Sequence, residues 1–169
     1  MRRIKEPHKR PSGVSRDRAF SPKIAEILTP LIGTTSGIRY QTGKLNMKSA
    51  GYGAAVEWHQ DWALLPAHER RSPGDRALPR RLWARERAAD GDPGSHTWPI
   101  SDHHADGVFC GAIDPASAGI DFSKAVKLTG KAGSMTIHHV RMVHGSALNT
   151  SNRPRRLLLF QYCAVDAFR

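Results

Sequence analysis

The sequence predicts a mainly β protein with short flanking helices, folded as a double-sheet jelly roll or a barrel. Glycine-rich turns separate the predicted strands, as at Gly51-Tyr52-Gly53 and at residues 130–133. Many short strands joined by such turns are typical of antiparallel two-sheet and barrel folds. The strands are predicted from apolar alternation or from a continuous apolar run, and they cover residues 38–48, 55–59, 125–128, 134–144 and 156–162.

One helix is predicted ahead of these strands. Ser21 and Pro22 supply a helix start, and Gly33 supplies a stop. Between them, the apolar side chains that fall on one helical face are Ile24, Ile27, Leu28 and Leu31. The residues before this helix show no clear pattern, so we expect an irregular basic lead-in over 1–20 and a single domain over 21–168.

The composition is that of a single, strongly basic domain. The chain has 169 residues, with 26 Lys plus Arg against 15 Asp plus Glu, which gives a formal net charge of +11. No aromatic residues interleave with the basic N-terminal stretch to stack on bases, so we do not expect a nucleic-acid partner. The cysteines are too few for a disulfide framework, and no apolar run is long enough for a membrane span or a signal peptide. We therefore expect a soluble, cytoplasmic protein without a membrane partner.

Two stretches of the sequence carry the residue types of a metal centre. His59 and Asp61 stand two positions apart where a predicted strand ends, and on a strand residues at this spacing point to the same face. Far along the chain, His144 ends a second predicted strand. Two histidines and one carboxylate that leave other coordination positions open form the facial triad of non-haem Fe(II) oxygenases. The residue types, in this order, therefore predict an iron site.

A cationic residue that could bind the carboxylate of a co-substrate follows His144 along the chain. Arg155 lies within Arg153-Pro154-Arg155-Arg156, and a guanidinium can bind a carboxylate through two parallel hydrogen bonds. We expect Arg155 to anchor 2-oxoglutarate while the keto-acid end of that molecule chelates iron. The alternatives are Arg153, which shares the strand face of Arg155, and Arg156, which points to the other face.

Other histidines and lysines are weaker candidates for the site. The pairs His103-His104 and His138-His139 have metal-binding side chains, but paired histidines in a loop or on a strand are usually structural or solvated. Three further residues are expected either to line the pocket or to be ordinary packed or solvated strand residues, and these are Lys44, Lys48 and Trp58.

The candidate residues lie in two blocks that resemble the signature blocks of the phytanoyl-CoA dioxygenase family. The first block is residues 57–63, and the second runs from Val143-His144-Gly145-Ser146 to Arg156. The resemblance covers residues 20–63 and 94–168. It implies a cupin-like double-stranded β-helix (a jelly roll) and an Fe(II)- and 2-oxoglutarate-dependent dioxygenase that uses O2 to hydroxylate a small-molecule substrate.

The resemblance also implies roles for individual residues. His59, Asp61 and His144 would be the iron ligands and the catalytic residues. Arg155 would bind 2-oxoglutarate, with Ser146 as a further candidate for the same carboxylate. A fatty acyl-CoA is the family's namesake substrate, but the sequence does not identify the substrate of this chain.

Residues 64–93 depart from the family pattern, although both flanks follow it. This segment contains no Val, Ile, Phe, Tyr or Lys, and its composition predicts a disordered, solvated segment. Buried strands are expected here, so the predicted core is incomplete. When the possible codons of this segment are read one base later, they can encode β-branched and aromatic residues along its length. This indicates two compensating frame changes, one near each end of the segment. The chain also begins late for the family, so we expect an N-terminal helical region to be missing.

Two functions remain open at this point. The intact set of candidate iron ligands favours an active oxygenase. The altered segment favours a catalytically inactive, basic jelly-roll remnant that binds an anionic ligand or a partner. The sequence gives no indication of the oligomeric state.

Overall fold

The computed structural model describes residues 2–9, 13–33, 35–64, 79–82, 90–131 and 134–167. In these ranges the helices are α1 (Val14–Ala19), α2 (Pro22–Ile32) and α3 (Pro115–Ala118), with 3-10 turns at Pro7–Lys9, Asp61–Leu64, Ser95–Thr97 and Phe122–Lys124. The strands are β1 (Arg2–Lys5), β2 (Ile38–Lys48), β3 (Val56–His59), β4 (Pro79–Leu82), β5 (Asp90–Gly91), β6 (His104–Ala105), β7 (Val108–Phe109), β8 (Val126–Lys127), β9 (Thr136–His139), β10 (His144–Ser146) and β11 (Arg155–Ala164). The prediction of a mainly β chain with few helices is confirmed.

The described strands form two larger sheets and a separate hairpin. The five-stranded sheet has the order β1-β2-β11-β4-β9, and the four-stranded sheet has the order β3-β10-β5-β8. The hairpin consists of β6 and β7. The strand pairs of both larger sheets are antiparallel. Strands from the first and last parts of the chain are therefore neighbours in each sheet, as β2 is to β11 and β3 is to β10.

The pairing of β2 with β11 gives the five-stranded sheet two distinct faces. It begins with Arg155 opposite Lys48. Since successive side chains of a strand point to opposite faces, alternate residues of β11 share the face of Arg155. Leu157 and Leu159 lie on that face and form a small apolar cluster with the partly buried Leu128. This face lines the cavity that contains the candidate site.

The main hydrophobic core lies on the other face of the five-stranded sheet. Helix α2 begins after Ser21 and ends at Gly33, whose φ of 67° is the left-handed conformation that glycine adopts readily. Burying each large apolar side chain stabilises the fold by about 1.5–3 kcal/mol. The predicted helix is confirmed, although Leu31 is 58% exposed. The central members of the core are Ile24, Leu28, Ile32, Phe160 and Tyr162.

Among the described residues, none of the helices combines the length and the apolar character that crossing a membrane requires. The longest of them is α2, with 11 residues. A membrane-spanning helix needs about 20 consecutive apolar residues.

The prediction of an irregular lead-in is wrong for the part of residues 1–20 that the structure describes. Arg2–Lys5 forms the edge strand β1, which pairs with the end of β2. Val14–Ala19 forms α1, and Ala19 is buried in the main core. The sequence does not reveal β1, because an edge strand is held by main-chain hydrogen bonds and needs little apolar alternation.

The stretch 134–144, predicted as one strand, contains two strands that belong to different sheets. Strand β9 ends at His139, and β10 begins at His144. A turn joins them and is closed by a main-chain hydrogen bond to the carbonyl oxygen of His139. Val140 and Val143 are buried within this turn. Apolar residues therefore continue through the turn, so the sequence pattern does not show where β9 ends and β10 begins.

The structure also contains strands within residues 64–93, for which the composition predicts disorder. Strand β4 lies between β11 and β9, and β5 lies between β10 and β8. Main-chain pairing does not depend on particular side chains, so a polar composition is compatible with a strand. Residues 65–78 and 83–89, to which the same prediction applies, lie outside the described residues.

Candidate metal centre

The pairing of β3 with β10 brings two histidines together. His144 lies directly opposite His59 in this antiparallel pair, and the centroids of the two rings are 4.3 Å apart. Gly145 permits the close approach, since a Cβ there would lie 3.1 Å from the carbonyl oxygen of Val56 and 3.2 Å from Cδ2 of Trp58. Both histidines are buried. The strand register therefore brings together the two histidines of the candidate site.

Asp61 completes a cluster of three possible metal ligands. Its Oδ1 lies 3.7 Å from Nε2 of His59, and its Oδ2 lies 3.7 Å from Nε2 of His144. These distances are longer than hydrogen bonds, and they leave room for an ion that each ligand atom binds from about 2 Å. One ligand atom from each residue lies within 4.8 Å of the others. The structure thus brings the three predicted residues together, although Asp61 begins a 3-10 turn and does not lie on the predicted strand.

Hydrogen bonds fix the tautomer of both imidazole rings. The Nδ1 of His59 donates to the carbonyl oxygen of Glu57 at 2.8 Å, and the Nδ1 of His144 donates to the carbonyl oxygen of Met142 at 2.9 Å. A carbonyl oxygen can only accept, so Nδ1 carries the proton in each ring and Nε2 presents a lone pair. These Nε2 atoms are the ones that approach Asp61. Metal-binding histidines are held in the same way in general.

The residue between the first two candidate ligands anchors this part of the site. Gln60 is fully buried, and its side-chain amide donates to the carbonyl oxygen of Arg141 at 2.9 Å and accepts from the main-chain N–H of Ser101 at 2.8 Å. The main-chain N–H of Gln60 donates to Nε2 of His103 at 3.0 Å. The Nδ1 of His103 donates to the carbonyl oxygen of Ser101 at 2.7 Å, and burial lowers the pKa of this histidine. His103 is therefore a structural residue with both ring nitrogens engaged.

The other histidine candidates lie outside the ligand cluster. His104 is exposed, and its Nδ1 lies 2.6 Å from a carboxylate oxygen of Asp102. The Nδ1 of His139 accepts a main-chain hydrogen bond in the turn after β9. His138 is buried, with its ring centroid 5.0 Å from that of His144. In the described part of the chain, the ligand cluster includes none of the three.

A cavity of about 70 Å³ lies beside the two clustered histidines and is lined by residues of both larger sheets. Arg155 and Ser146, the residues predicted to bind 2-oxoglutarate, both line it. Arg155 is 2% exposed, and burial lowers its pKa. Arg153 and Arg156 are exposed to solvent. Arg155 is therefore the arginine of this run that shares a cavity with the cluster.

A buried lysine supports the strand end that carries Ser146. Lys48 is 1% exposed. Its Nζ donates to Oγ of Ser146 at 2.8 Å, to the carbonyl oxygen of Ser146 at 3.1 Å and to the carbonyl oxygen of Ala147 at 2.6 Å. These bonds use all three protons of the ammonium group, and they leave the hydroxyl proton of Ser146 for an acceptor in the cavity. Burial, together with the nearby charge of Arg155, lowers the pKa of Lys48 to about 8.

The cavity wall includes two residues that sequence reasoning missed. Arg3 of β1 and Asn46 of β2 line the cavity together with the candidate Lys44. A signal for Asn46 was present, since Lys44, Asn46 and Lys48 recur at the period of two that marks one face of a strand. Arg3 has no such local signal, because its position depends on the pairing of β1 with β2. The candidate Trp58 stacks on a neighbouring aromatic ring, with centroids 4.4 Å apart.

Comparison with known proteins gives a family match and a curated relative. Residues 92–157 match the family model described as Phytanoyl-CoA dioxygenase (PhyH). A protein of Stutzerimonas stutzeri, described as "Probable alpha-ketoglutarate-dependent hypophosphite dioxygenase", is 34% identical over 177 residues. The match covers 99% of this chain and 59% of the relative, so the chain spans little more than half of the length of that protein.

Solved structures share the fold of this chain. EctD from S. alaskensis in its apoform matches with a TM-score of 0.75 at 24% identity, covering 98% of this chain and 58% of EctD. The non-heme alpha ketoglutarate dependent carbocyclase SnoK from nogalamycin biosynthesis matches with a TM-score of 0.74 at 23% identity, covering 97% of this chain and 64% of SnoK. These likenesses show the fold. The family match over residues 92–157 and the curated relative make the chain similar to the phytanoyl-CoA dioxygenase family.

Proposed function

We propose that the chain is an Fe(II)- and 2-oxoglutarate-dependent dioxygenase that hydroxylates a small molecule, and that its two larger sheets form a double-stranded β-helix. The observation that carries the proposal is the cluster of His59, Asp61 and His144, which lies beside the cavity lined by Arg155. Two imidazole nitrogens and one carboxylate, with other positions open, are the donor set of non-haem Fe(II) oxygenases. In the cluster, the Nε2 atom of each histidine lies 3.7 Å from a carboxylate oxygen of Asp61, so the donor set and its spacing fit Fe(II).

The residues of the cavity have separate tasks in this proposal. Bound iron supplies the chemistry that couples the oxidative decarboxylation of 2-oxoglutarate by O2 to the hydroxylation of a substrate. Arg155 binds the distal carboxylate of 2-oxoglutarate through parallel N–H···O bonds, and Ser146 donates its hydroxyl proton to the same carboxylate. Lys48 holds that hydroxyl in place. Burial strengthens these charge-assisted bonds, because the surrounding medium is less polar than water.

The related proteins support the cofactor and suggest a first substrate. The S. stutzeri relative is named for alpha-ketoglutarate and hypophosphite. Structures of EctD from S. alaskensis have been determined with bound Fe and with 2-oxoglutarate and 5-hydroxyectoine. We extend iron and 2-oxoglutarate to this chain because the ligand cluster and Arg155 have the required chemistry. Hypophosphite, a small oxyanion, is the first substrate to test.

Succinate release tests the proposed function. The full chain is supplied with Fe(II), 2-oxoglutarate, O2 and hypophosphite, and we expect release that depends on the iron and on both co-substrates. Asp61→Ala removes one ligand and should abolish release. The matched control is His104→Ala, which changes an exposed histidine outside the cluster and should retain release. Full release by Asp61→Ala would contradict the proposal, and no release by the wild type would favour the inactive remnant.

A further inference from the structure

A second cavity, a cleft of about 720 Å³, lies apart from the cavity beside the metal centre. Pockets that hold small organic ligands have volumes of roughly 300–1,000 Å³, so the cleft is large enough for such a ligand. Among the described residues, the two cavities have no lining residue in common. The proposed function therefore assigns no ligand to this cleft.

The wall of the cleft contains a buried acidic residue. Asp92 is 6% exposed and lines the cleft. Its main-chain N–H donates to the carbonyl oxygen of Val143 at 3.0 Å, and its carbonyl oxygen accepts from the hydroxyl of Ser95 at 2.6 Å. The hydroxyl oxygen of Ser95 in turn accepts from the main-chain N–H of Val143 at 2.9 Å. These bonds hold the main chain of Asp92 in place without using its carboxylate.

Among the described residues, none donates a hydrogen bond to the carboxylate of Asp92. Burial raises the pKa of this group, the nearby charge of Lys124 lowers it, and that of Asp121 raises it. Lys124 pairs with the exposed Asp121, whose Oδ2 lies 3.7 Å from its Nζ. Buried charged groups are costly unless they are paired. A carboxylate can only accept hydrogen bonds, so a donor complements it, and a cationic donor binds it most strongly.

Much of the remaining wall is apolar. Trp98 and Ile120 are half-buried, and Pro93 and Pro99 lie at the exposed rim. An indole ring packs against apolar groups and also attracts a nearby cation. The chain carries a formal net charge of +11, so its surface as a whole does not attract cations. A cation that binds this protein therefore depends on a local carboxylate such as that of Asp92.

We infer that the cleft is a binding site for a small organic cation, a primary amine with an apolar body. Its ammonium group donates to the carboxylate of Asp92, and its apolar body packs against Trp98 and Ile120. Binding an amine in this way stabilises the charged form of the buried carboxylate. The site is separate from the candidate metal centre, so amine binding requires neither iron nor 2-oxoglutarate.

A ligand-observed NMR titration of the full chain with benzylamine tests the inference. At neutral pH benzylamine is a cation, and benzyl alcohol is its neutral counterpart of similar shape. We expect benzylamine to bind saturably and benzyl alcohol to bind about tenfold more weakly or less. No saturable binding of benzylamine, or equal binding of benzyl alcohol, would overturn the inference.

Variants of the charged residues complete the test. Asp92→Asn keeps the shape of the side chain but removes its charge, and it should raise the Kd of benzylamine by about tenfold or more. Lys124→Met removes a positive charge near Asp92 and should lower this Kd, a change that damage to the fold would not produce. Asp106→Asn, at the exposed turn of the β6–β7 hairpin, is the matched control. An unchanged Kd in Asp92→Asn, or a raised Kd in Lys124→Met, would contradict the role of Asp92.

Discussion

His144 lies directly opposite His59 across β3 and β10, and each ring donates from Nδ1 to the carbonyl oxygen two residues before it. Because the same bond recurs on both strands, the two Nε2 atoms approach the carboxylate of Asp61 at the same distance, 3.7 Å. Tautomer and ring orientation are thus fixed without a metal. A site held in this way needs little further ordering when an ion binds.

Arg155→Ala should raise the 2-oxoglutarate concentration needed for turnover by about a hundredfold or more, because losing one partner of a buried charge pair costs several kcal/mol. The affinity for Fe(II) should change far less, since Arg155 is not in the ligand cluster. The measurements are the KM for 2-oxoglutarate and an Fe(II) titration. Arg153→Ala, at an exposed position, is the control. Equal effects of the two substitutions would contradict the role of Arg155.

Lys48 should make stability depend on pH. Burial lowers its pKa from 10.5 to about 8 in the folded chain, so between these values the unfolded chain holds a proton that the folded chain has released. The contribution of this group to the free energy of unfolding therefore rises with pH across that window and is lowest below it. Urea unfolding of the wild type and of Lys48→Met, measured from neutral pH to pH 10.5, should show the wild type gaining stability relative to the variant. A difference that does not vary with pH would contradict the lowered pKa.

Gly145→Ala should weaken Fe(II) binding although it removes no ligand. The added Cβ would lie 3.1 Å from the carbonyl oxygen of Val56 and 3.2 Å from Cδ2 of Trp58, so β3 and β10 would have to move apart. Disturbing the support of metal ligands typically weakens binding by about 10–100-fold, and we expect the lower end of this range in an Fe(II) titration. Gly13→Ala is the matched control, because its Cβ would meet only the Asp17 carboxylate at ordinary contact distances of 3.5 Å or more. Equal Fe(II) affinities of the two variants would contradict the importance of this close approach.

The hypothesis of compensating frame changes in residues 64–93 stays a prediction. If it holds, the encoding nucleotides between codons 60 and 96 specify family-like strand residues in the alternative frame. A chain carrying that reading should then show stronger near-UV circular dichroism and faster succinate release than the present sequence, because apolar strand residues would complete the core. A well-folded, active protein with the present sequence would contradict this hypothesis and make residues 64–93 a genuine insert.

The ligand cluster could be predicted from the sequence because its chemistry resides in the residue types themselves. The sequence indicates a metal site from the residue types of His59, Asp61 and His144, without knowledge of how the strands pair. Helix α2 follows from local apolar periodicity. The cavity wall could be predicted only in part. Asn46 shares a strand face with Lys44 and Lys48, so its position follows from local alternation. Arg3 faces the cavity because β1 pairs with β2 in one particular register, and this long-range pairing leaves no local pattern in the sequence.

The most direct test of the metal centre is an anaerobic titration of Fe(II) into the full chain in the presence of 2-oxoglutarate. We predict saturation at one Fe(II) per chain, accompanied by the charge-transfer absorption of an iron–2-oxoglutarate complex. His144→Ala should lose both the tight binding and the absorption, whereas His104→Ala, outside the cluster, should bind as the wild type does. Wild-type Fe(II) affinity and absorption in His144→Ala would contradict the account.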